Sequence, residues 1–150
     1  MKTVCQTCKA YTKALVQCTR KTCKWSPYCF QHTQVYIKKS GIPDSGDGVF
    51  AKQDIKTKTI LGDFKIGTLK LTKNDVLQTQ NRSYIWKRAE NEYYNGITGV
   101  LAGKFNACRP RDRPLCTLNA KINGNGKIIT KKNIMKDTEI FVSYGAGYRF

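Results

Sequence analysis

A cluster of cysteines near the amino terminus is the feature that most constrains how this chain can fold. Five of the seven cysteines and the single histidine lie within residues 5–32 of a 150-residue sequence. This segment has few large apolar side chains, so its own core would be too small to stabilise it. Clustered thiolates and imidazoles typically hold zinc, and a structural zinc contributes about 10–16 kcal/mol in finger peptides. The cluster therefore predicts a zinc-binding module at residues 1–34, followed by a second domain at residues 35–150.

Tetrahedral zinc takes four ligands, and the N-terminal module (residues 1–34) offers more candidates than that. The C-x2-H spacing of Cys29 and His32 lets both residues bind one ion from a single turn. The other two ligands could be Cys5 with Cys8, or Cys8 with Cys18. The pattern resembles the short C-x9-C-x10-C-x2-H zinc modules found in proteins of large DNA viruses and their hosts. This resemblance implies zinc as a cofactor with the ligands Cys8, Cys18, Cys29 and His32. It leaves Cys5 and Cys23 as reserve ligands or as part of a second site.

The amino terminus contains no apolar run of the kind that a secretory signal needs, and the number of cysteines is odd. Both observations favour an intracellular protein that is not secreted, and they make a disulfide framework the poorer interpretation of the thiols. No stretch approaches 18 uncharged apolar residues. A membrane span, and with it a membrane partner, is therefore not expected.

Positive charge is unevenly distributed along the chain. There are 27 Lys and Arg residues against 10 Asp and Glu, which gives a formal net charge of +17. The first 40 residues hold eight of these cations and no acidic residue, since the first acid is Asp44. Such a balance favours polyanionic partners through counterion release and long-range attraction. The resulting hypothesis is that the N-terminal module contacts DNA or the nucleosome, and a merely solvated surface is its alternative.

The second domain is predicted to be mainly β because short β-branched runs alternate with turn residues. The Asn-Gly-Asn-Gly run at 123–126 predicts a hairpin, since Asn-Gly favours positive φ angles. The stretch from Arg82 to about Glu92 predicts a helix, with Asn81 as its cap. The predicted strands are Val35–Lys38, Gly48–Ala51, Ile60–Phe64, Thr68–Leu71, Leu118–Ile122, Lys127–Thr130 and Glu139–Tyr144.

A weak internal repeat is also visible. Residues 51–61 align without gaps with residues 130–140, and each copy places an isoleucine, Ile55 or Ile134, at the same position of a turn. We expect both isoleucines to point inward, and the alternative is chance similarity of two β-arcs. The repeat predicts a domain built from paired β units.

Three motifs of the second domain carry chemical information. In Ser45-Gly46-Asp47-Gly48, glycines on both sides of an aspartate let the backbone approach a ligand closely. This is not a dinucleotide fingerprint, because no third glycine opens a helix after it. The second motif is Asn106-Ala107-Cys108, followed by Asn119-Ala120. The third is Glu-Ile-Phe-Val-Ser-Tyr-Gly at residues 139–145.

Taken in this order, the motifs resemble those of the SET-domain protein lysine methyltransferases, in the minimal form found in viruses. The resemblance covers roughly residues 35–150. It implies a SET-domain fold, in which short strands form a β-clip with a small helical insert. It also implies S-adenosylmethionine as the methyl donor and a lysine of a protein substrate, with a histone as the expected substrate.

The same resemblance implies roles for individual residues. Tyr144 would be the catalytic tyrosine that orients the amine and the methyl group, Tyr84 would line the lysine channel, and Tyr148 would lie near its mouth. The implied cofactor-binding residues are Gly46, Asp47, Gly48, Val49, Phe50, Asn106, Ala107 and Tyr144.

The sequence departs from the family's pattern at several points. Ala107 stands in the place of a histidine, and the insertion Arg109–Pro114 lengthens the stretch between the two asparagines. Lys58 and Asp137 occupy turns where the family usually has glycine. No cysteine follows Tyr144 in this sequence, whereas many members bind zinc after that position.

Two functions are compatible with these features. The first is a lysine methyltransferase that acts on a histone, in the nucleus or on viral chromatin. The alternative is a nucleic-acid or chromatin-binding zinc protein whose SET-like domain is inactive, and Ala107 supports it because it alters the asparagine motif. Binding of S-adenosylmethionine separates the two functions, and a homodimer is compatible with either.

Overall fold

The computed structural model describes residues 5–22, 24–25, 27–82, 84–98 and 101–143. Its strands are β1 (Gln6–Thr7), β2 (Lys21–Thr22), β3 (Val35–Lys39), β4 (Asp47–Ala51), β5 (Ile60–Asp63), β6 (Leu69–Leu71), β7 (Ile85–Ala89), β8 (Glu92–Asn95), β9 (Asn106–Ala107), β10 (Ala120–Ile122), β11 (Lys127–Thr130) and β12 (Glu139–Ser143). The helices are short: α1 (Lys73–Gln78) and 3₁₀ helices at Gly96–Thr98, Leu101–Lys104 and Pro110–Asp112. The prediction of a mainly β fold is confirmed. Over the described ranges, no helix has the length and apolar character needed to cross a membrane.

One strand, β12, organises the largest sheet. Within the described residues this sheet has seven strands in the order β3-β4-β12-β10-β11-β5, and β9 also pairs with β12. β12 runs antiparallel to β4 and parallel to both β9 and β10. Because β4 carries the first motif and β9 the second, all three motifs meet at this strand. A smaller sheet has the order β6-β8-β7, and β1 pairs with β2 in the N-terminal module.

The strand predictions agree closely with the structure. All seven predicted strands are present, with ends that shift by at most two residues in the described chain. The hairpin is confirmed as well, because β10 and β11 are antiparallel and the backbone N–H of Asn123 donates to Lys127 O over 3.0 Å. Gly126 has a φ angle of 82°, which is the conformation that the Asn-Gly signal predicts.

The internal repeat corresponds to two β-arcs that pair with each other. Ile55 and Ile134 form an antiparallel bridge, and each backbone N–H donates to the other residue's carbonyl over 2.8 Å. Both side chains are buried in the main core, as the repeat predicted.

Side chains of the two arcs also exchange equivalent hydrogen bonds. The N–H of Thr57 donates to Asn133 Oδ1 over 2.9 Å, and the N–H of Lys136 donates to Asp54 Oδ1 over 2.8 Å. These four residues occupy matching positions in the alignment of 51–61 with 130–140. The arcs are therefore related by an approximate two-fold axis through the isoleucine bridge.

The predicted helix from Arg82 to about Glu92 is wrong. Residues Ile85–Ala89 form β7, which pairs antiparallel with β8 and buries Ile85 and Trp86. Tertiary pairing has overridden a short apolar spacing that fits either conformation. A helix was also missed at Lys73–Gln78, where Thr72 and Asp75 form a reciprocal capping box that was readable in the sequence.

The view that disulfides are a poor interpretation of the cysteines is also wrong in part. Cys108 and Cys116 form a disulfide with an S–S distance of 2.00 Å, and both are buried beside Ile42 and Phe141. Cys5 is disulfide-bonded too. Folding brings the Cα atoms of Cys108 and Cys116 to 5.7 Å, a separation that sequence spacing does not reveal.

The main core joins the two parts of the chain. It combines side chains of the large sheet with Leu101 and Phe105, which are almost completely buried. Trp25 of the N-terminal module packs against this core. The backbone N–H of Leu101 also donates a hydrogen bond of 2.7 Å to Lys24 O. The module is therefore in direct contact with the segment that leads into the site described next.

Candidate active site and metal centre

The four predicted zinc ligands lie together. The ligand atoms of Cys8, Cys18, Cys29 and His32 are all within 4.8 Å of one another. His32 Nδ1 lies 3.6 Å from Cys8 Sγ and 3.4 Å from Cys29 Sγ. Tetrahedral zinc has bonds of about 2.3 Å to sulfur and about 2.0–2.1 Å to nitrogen, which places neighbouring ligand atoms roughly 3.5–3.8 Å apart. The cluster therefore has the donor set and the spacing of a structural zinc site.

Local backbone hydrogen bonds hold this cluster in place. The turn after Cys29 is closed by the N–H of His32, which donates to Cys29 O over 3.0 Å. The N–H of Cys29 points at Cys8 Sγ over 3.2 Å. Burial acts to raise the pKa of the Cys29 thiol, but backbone hydrogen bonds from Gln31 and His32, together with side-chain hydrogen bonds from Cys8 and Cys18, lower that pKa. At Cys8 burial is the largest effect, and it raises the pKa of that thiol. Of the reserve ligands, Cys5 is disulfide-bonded, and Cys23 lies outside the described residues.

A cavity of about 560 Å³ lies beside the amino-terminal end of β4. Four of the predicted cofactor-binding residues, Gly46, Asp47, Asn106 and Ala107, lie on its wall. The predicted channel residue Tyr84 lies there too, with its side chain partly exposed. The full lining is Asp44, Ser45, Gly46, Asp47, Tyr84, Gly103, Lys104, Phe105, Asn106, Ala107 and Arg109. Folding thus brings together two motifs that are about 60 residues apart in the sequence.

Asn106 joins the two sides of this cavity. Its Nδ2 donates to Asp47 O over 2.9 Å and to Glu139 Oε1 over 3.3 Å. Lys104 Nζ lies 3.1 Å from Asp47 Oδ2. The cavity wall therefore presents charges of both signs, Asp44 and Asp47 against Lys104 and Arg109, beside the exposed backbone of Gly46.

Glu139 is a structural residue of the site that the sequence reasoning missed. Its buried carboxylate accepts hydrogen bonds from Ser40 Oγ over 2.7 Å and from the Gly41 N–H over 2.9 Å. A Cβ built on Gly48 would lie 2.8 Å from Glu139 Cδ, so a larger residue at Gly48 would force the Glu139 side chain to shift. The available signal was an acidic residue at the head of an otherwise apolar strand, because such a charge needs partners when it is buried.

The remaining predicted cofactor residues have a different setting. Gly48, Val49 and Phe50 belong to β4, where they are buried in the sheet and are not part of the cavity lining. Phe50 stacks on Tyr36 with ring centroids 5.6 Å apart. Gly46 has a φ angle of 64°, which explains the first glycine of the motif.

Asn119, the second asparagine of the motif, fixes β12. Its Nδ2 donates to Glu139 O over 2.9 Å, and its Oδ1 accepts from the Phe141 N–H over 2.8 Å. The side chain is buried and substitutes for part of the strand pairing. Tyr144 and Tyr148 lie outside the described residues, which end at Ser143 of β12.

In this structure short strands enclose a cavity, and a G-D-G strand and an asparagine motif are both tied to one central strand. This arrangement is that of a SET-type domain. A sequence model of the SET domain matches residues 46–145, two thirds of the chain, and the protein belongs to the SET-domain family. Members of this family are generally S-adenosylmethionine-dependent lysine methyltransferases.

Among solved structures, the fold is similar to the crystal structure of a Plasmodium falciparum protein that is itself a proposed histone methyltransferase. The two sequences are 21% identical, and the match covers 77% of this chain and 96% of that chain with a TM-score of 0.49. No curated protein matches the sequence. The family assignment therefore depends on the sequence model of the domain.

Proposed function

We propose that the protein is an S-adenosylmethionine-dependent protein-lysine N-methyltransferase whose substrate is a histone. The observation that carries this proposal is the cavity in which the G-D-G strand, the asparagine motif and Tyr84 come together. Its volume of about 560 Å³ is typical of a site for one cofactor-sized ligand. Together with family membership, this makes a working methyl-donor site the simplest use of the cavity.

The cavity residues suit the donor's chemistry. Lys104 and Asp47 offer charges of both signs, which fit the carboxylate and ammonium groups of the donor's amino-acid end. The backbone at Gly46 is open, since a Cβ built there meets no atom within 4 Å. When bound, the donor supplies a methyl group on a sulfonium centre. Ala107 lines the cavity with only a methyl group, so it does not obstruct the site.

Tyrosines would serve the acceptor lysine. We assign Tyr144 as the catalytic tyrosine, whose hydroxyl orients the amine, and Tyr148 as an aromatic residue near the channel mouth. Of these three tyrosines, Tyr84 is the one that lies within the described residues, and it lines the cavity. Aromatic faces stabilise the sulfonium cation of the donor and exclude water from the acceptor amine. Exclusion of water promotes loss of the amine's proton, and the aromatic walls hold the amine in line for attack.

The charge of the protein favours a nucleosome over a free histone tail. With a net charge of +17, the protein repels an isolated basic peptide at long range. Nucleosomal DNA reverses that sign and attracts the enzyme to the place where histone lysines are presented. This argument supports an enzyme that acts on chromatin, in a nucleus or on viral chromatin. The Cys/His cluster separately supports zinc in its N-terminal module.

A second function, contact with nucleic acid, is favoured by a basic pocket in the N-terminal module. This pocket, of about 340 Å³, is lined by Arg20, Lys21, Thr22, Lys24, Trp25, Cys29 and Phe30. The Arg20 guanidinium lies 5.4 Å from the centre of the Phe30 ring, and Lys24 Nζ lies 5.6 Å from that of Trp25. Residues 1–40 contain no carboxylate side chain to neutralise these cations. A phosphate backbone is the ligand that such a pocket attracts.

The test of the methyltransferase is calorimetric titration of the zinc-loaded protein with S-adenosylmethionine, followed by methylation of nucleosomes and of free histones. We expect micromolar donor binding, higher activity on nucleosomes, and loss of activity with retained donor binding in Tyr144→Phe. A folded protein that binds no donor would instead support a chromatin-binding protein with an inactive SET domain.

Contact with nucleic acid has its own test, because it depends on salt. We expect the double variant Arg20→Ala/Lys24→Ala to bind DNA more weakly and to reduce the slope of log K against log salt by about 2. Lys56→Ala/Lys132→Ala is the matched control, since it removes the same charge from exposed positions of the SET domain. Equal slopes for both double variants would contradict a localised nucleic-acid site.

A further inference from the structure

The loop at residues 109–115, called here the insertion loop, is unexplained by the function proposed above. It lies between the two asparagines of the second motif, where the family has a shorter connection. The disulfide between Cys108 and Cys116 closes its base. Both cysteines are buried against Ile42 and Phe141, so the two ends of the loop are anchored in the protein while most of the loop is exposed.

Arg109 is the residue through which this loop reaches the cavity. Of residues 109–115, all of which the structure describes, it alone belongs to the cavity lining. It lies two residues after Ala107, and both Asn106 and Ala107 also line the cavity. Arg111 and Arg113 have exposed side chains and do not line the cavity.

The Arg109 guanidinium is held in a fixed orientation by Asp112. Arg109 Nε lies 2.7 Å from Asp112 Oδ2, and Nη2 lies 3.4 Å from Oδ1. The carboxylate is largely buried, with 11% of the side chain exposed against 48% for Arg109. This hydrogen-bonded pair lowers the pKa of Asp112, so the carboxylate stays ionised at neutral pH. The backbone N–H of Asp112 also donates to Arg109 O over 2.9 Å, which fixes the turn.

A guanidinium in this state is better suited to stacking than to binding an anion. Asp112 already occupies one edge of the group and neutralises much of its charge. The flat faces remain available, and guanidinium faces stack on aromatic rings. In the donor proposed above, the adenine base is the one aromatic group.

We propose that Arg109 binds the adenine base of the methyl donor by stacking, and that the disulfide-closed insertion loop holds it in position. This inference rests on the proposed function, because it assumes that the cavity holds the donor. It gives the insertion a role in cofactor affinity at a wall where the family's histidine is replaced by Ala107.

The test is calorimetric titration of the full-length, zinc-loaded protein with S-adenosylhomocysteine, which shares the adenine base and needs no turnover. Stacking of this kind contributes about 0.5–2 kcal/mol, so Arg109→Ala should weaken binding by roughly 2- to 30-fold. Arg111→Ala is the matched control in the same loop and should bind within about 2-fold of the wild type. Circular dichroism and thermal denaturation of each variant verify that it is folded.

Arg109→Lys distinguishes stacking from simple attraction of charge. Because lysine keeps the charge and loses the plane, this variant should bind about as weakly as Arg109→Ala, and the difference from wild type should change little with salt. Wild-type affinity in Arg109→Lys or in Arg109→Ala would overturn the role of Arg109. Absence of any S-adenosylhomocysteine binding by the wild-type protein would instead contradict the proposed function itself, so the two failures are distinguishable.

Discussion

The N-terminal module and the SET domain reach a stable structure by different means. In the module, Leu15 is 83% exposed and Val16 and Phe30 are also exposed, while the buried residues include the ligands Cys8 and Cys29. The SET domain instead buries a continuous core that contains Phe64. Metal–ligand bonds can replace a hydrophobic core in a segment of about 30 residues, whereas a domain of about 110 residues can bury enough apolar surface to fold by that means.

The contact between the two regions shows that they are not independent. Trp25 packs on the SET core, and Lys24 O accepts a hydrogen bond from Leu101. The 3₁₀ helix that begins at Leu101 ends at Lys104, which lies on the cavity wall. The module that carries the candidate metal centre therefore contacts the segment that forms one side of the candidate active site, and four changes test this comparison.

Removal of the metal should have the largest effect. Structural zinc contributes about 10–16 kcal/mol in finger peptides, so His32→Ala or chelation should unfold the module and leave the SET core folded. Hydrogen exchange would show loss of protection at residues 5–32 and retained protection in β4 and β12. His32→Cys is the control, since four thiolates also bind zinc. A module that remains protected without metal would contradict this account of its stability.

Removal of a large buried side chain from the SET core should have the next largest effect. Phe64 is completely buried, so Phe64→Ala should destabilise the SET domain by about 3–5 kcal/mol in urea unfolding. The matched change in the module, Leu15→Ala, removes an exposed side chain and should cost less than about 0.5 kcal/mol. Comparable losses from the two variants would show that the regions do not differ in the way argued above.

A change at Gly48 should have an intermediate effect and should alter the site itself. Gly48→Ala forces a methyl group against the buried Glu139 carboxylate, and overpacking of this kind costs about 1–3 kcal/mol. Gly46→Ala meets no atom and pays mainly for its positive φ angle, at about 1 kcal/mol. Thermal denaturation of both variants gives the comparison. An equal or larger loss for Gly46→Ala would argue against the Glu139 contact.

The smallest effect should be a gain in stability at a turn of the SET domain. Lys58 has a φ angle of 61°, where a non-glycine residue is strained by roughly 1 kcal/mol, so Lys58→Gly should stabilise the protein by about that amount. Asp137, at the equivalent turn, also accepts a hydrogen bond from Tyr36 over 2.9 Å, so Asp137→Gly should gain less. A loss of stability in Lys58→Gly, measured by denaturant unfolding, would contradict the strain argument.

Local patterns in the sequence predicted much of this molecule. The β-branched runs predicted the strands, the Asn-Gly run at 123–126 predicted its hairpin, and the repeat predicted that Ile55 and Ile134 point inward. The helix predicted from Arg82 was wrong because a short apolar spacing fits both a helix and a strand, and pairing with β8 selected the strand. The disulfide was missed because its reactive partners are separated by an exposed loop.

Spacing along the chain was sufficient for residues on one short segment, such as Cys29 and His32. The choice of Cys8 and Cys18 as the other two ligands, and the meaning of the order of the three motifs, came from resemblance to known families. Long-range contacts could not be predicted from the sequence. Asn106 approaches Asp47, and Glu139 approaches Gly48, because β4 and β9 both pair with β12. Sequence spacing carries information about neighbours along the chain, whereas a cavity wall is set by which distant strands share hydrogen bonds.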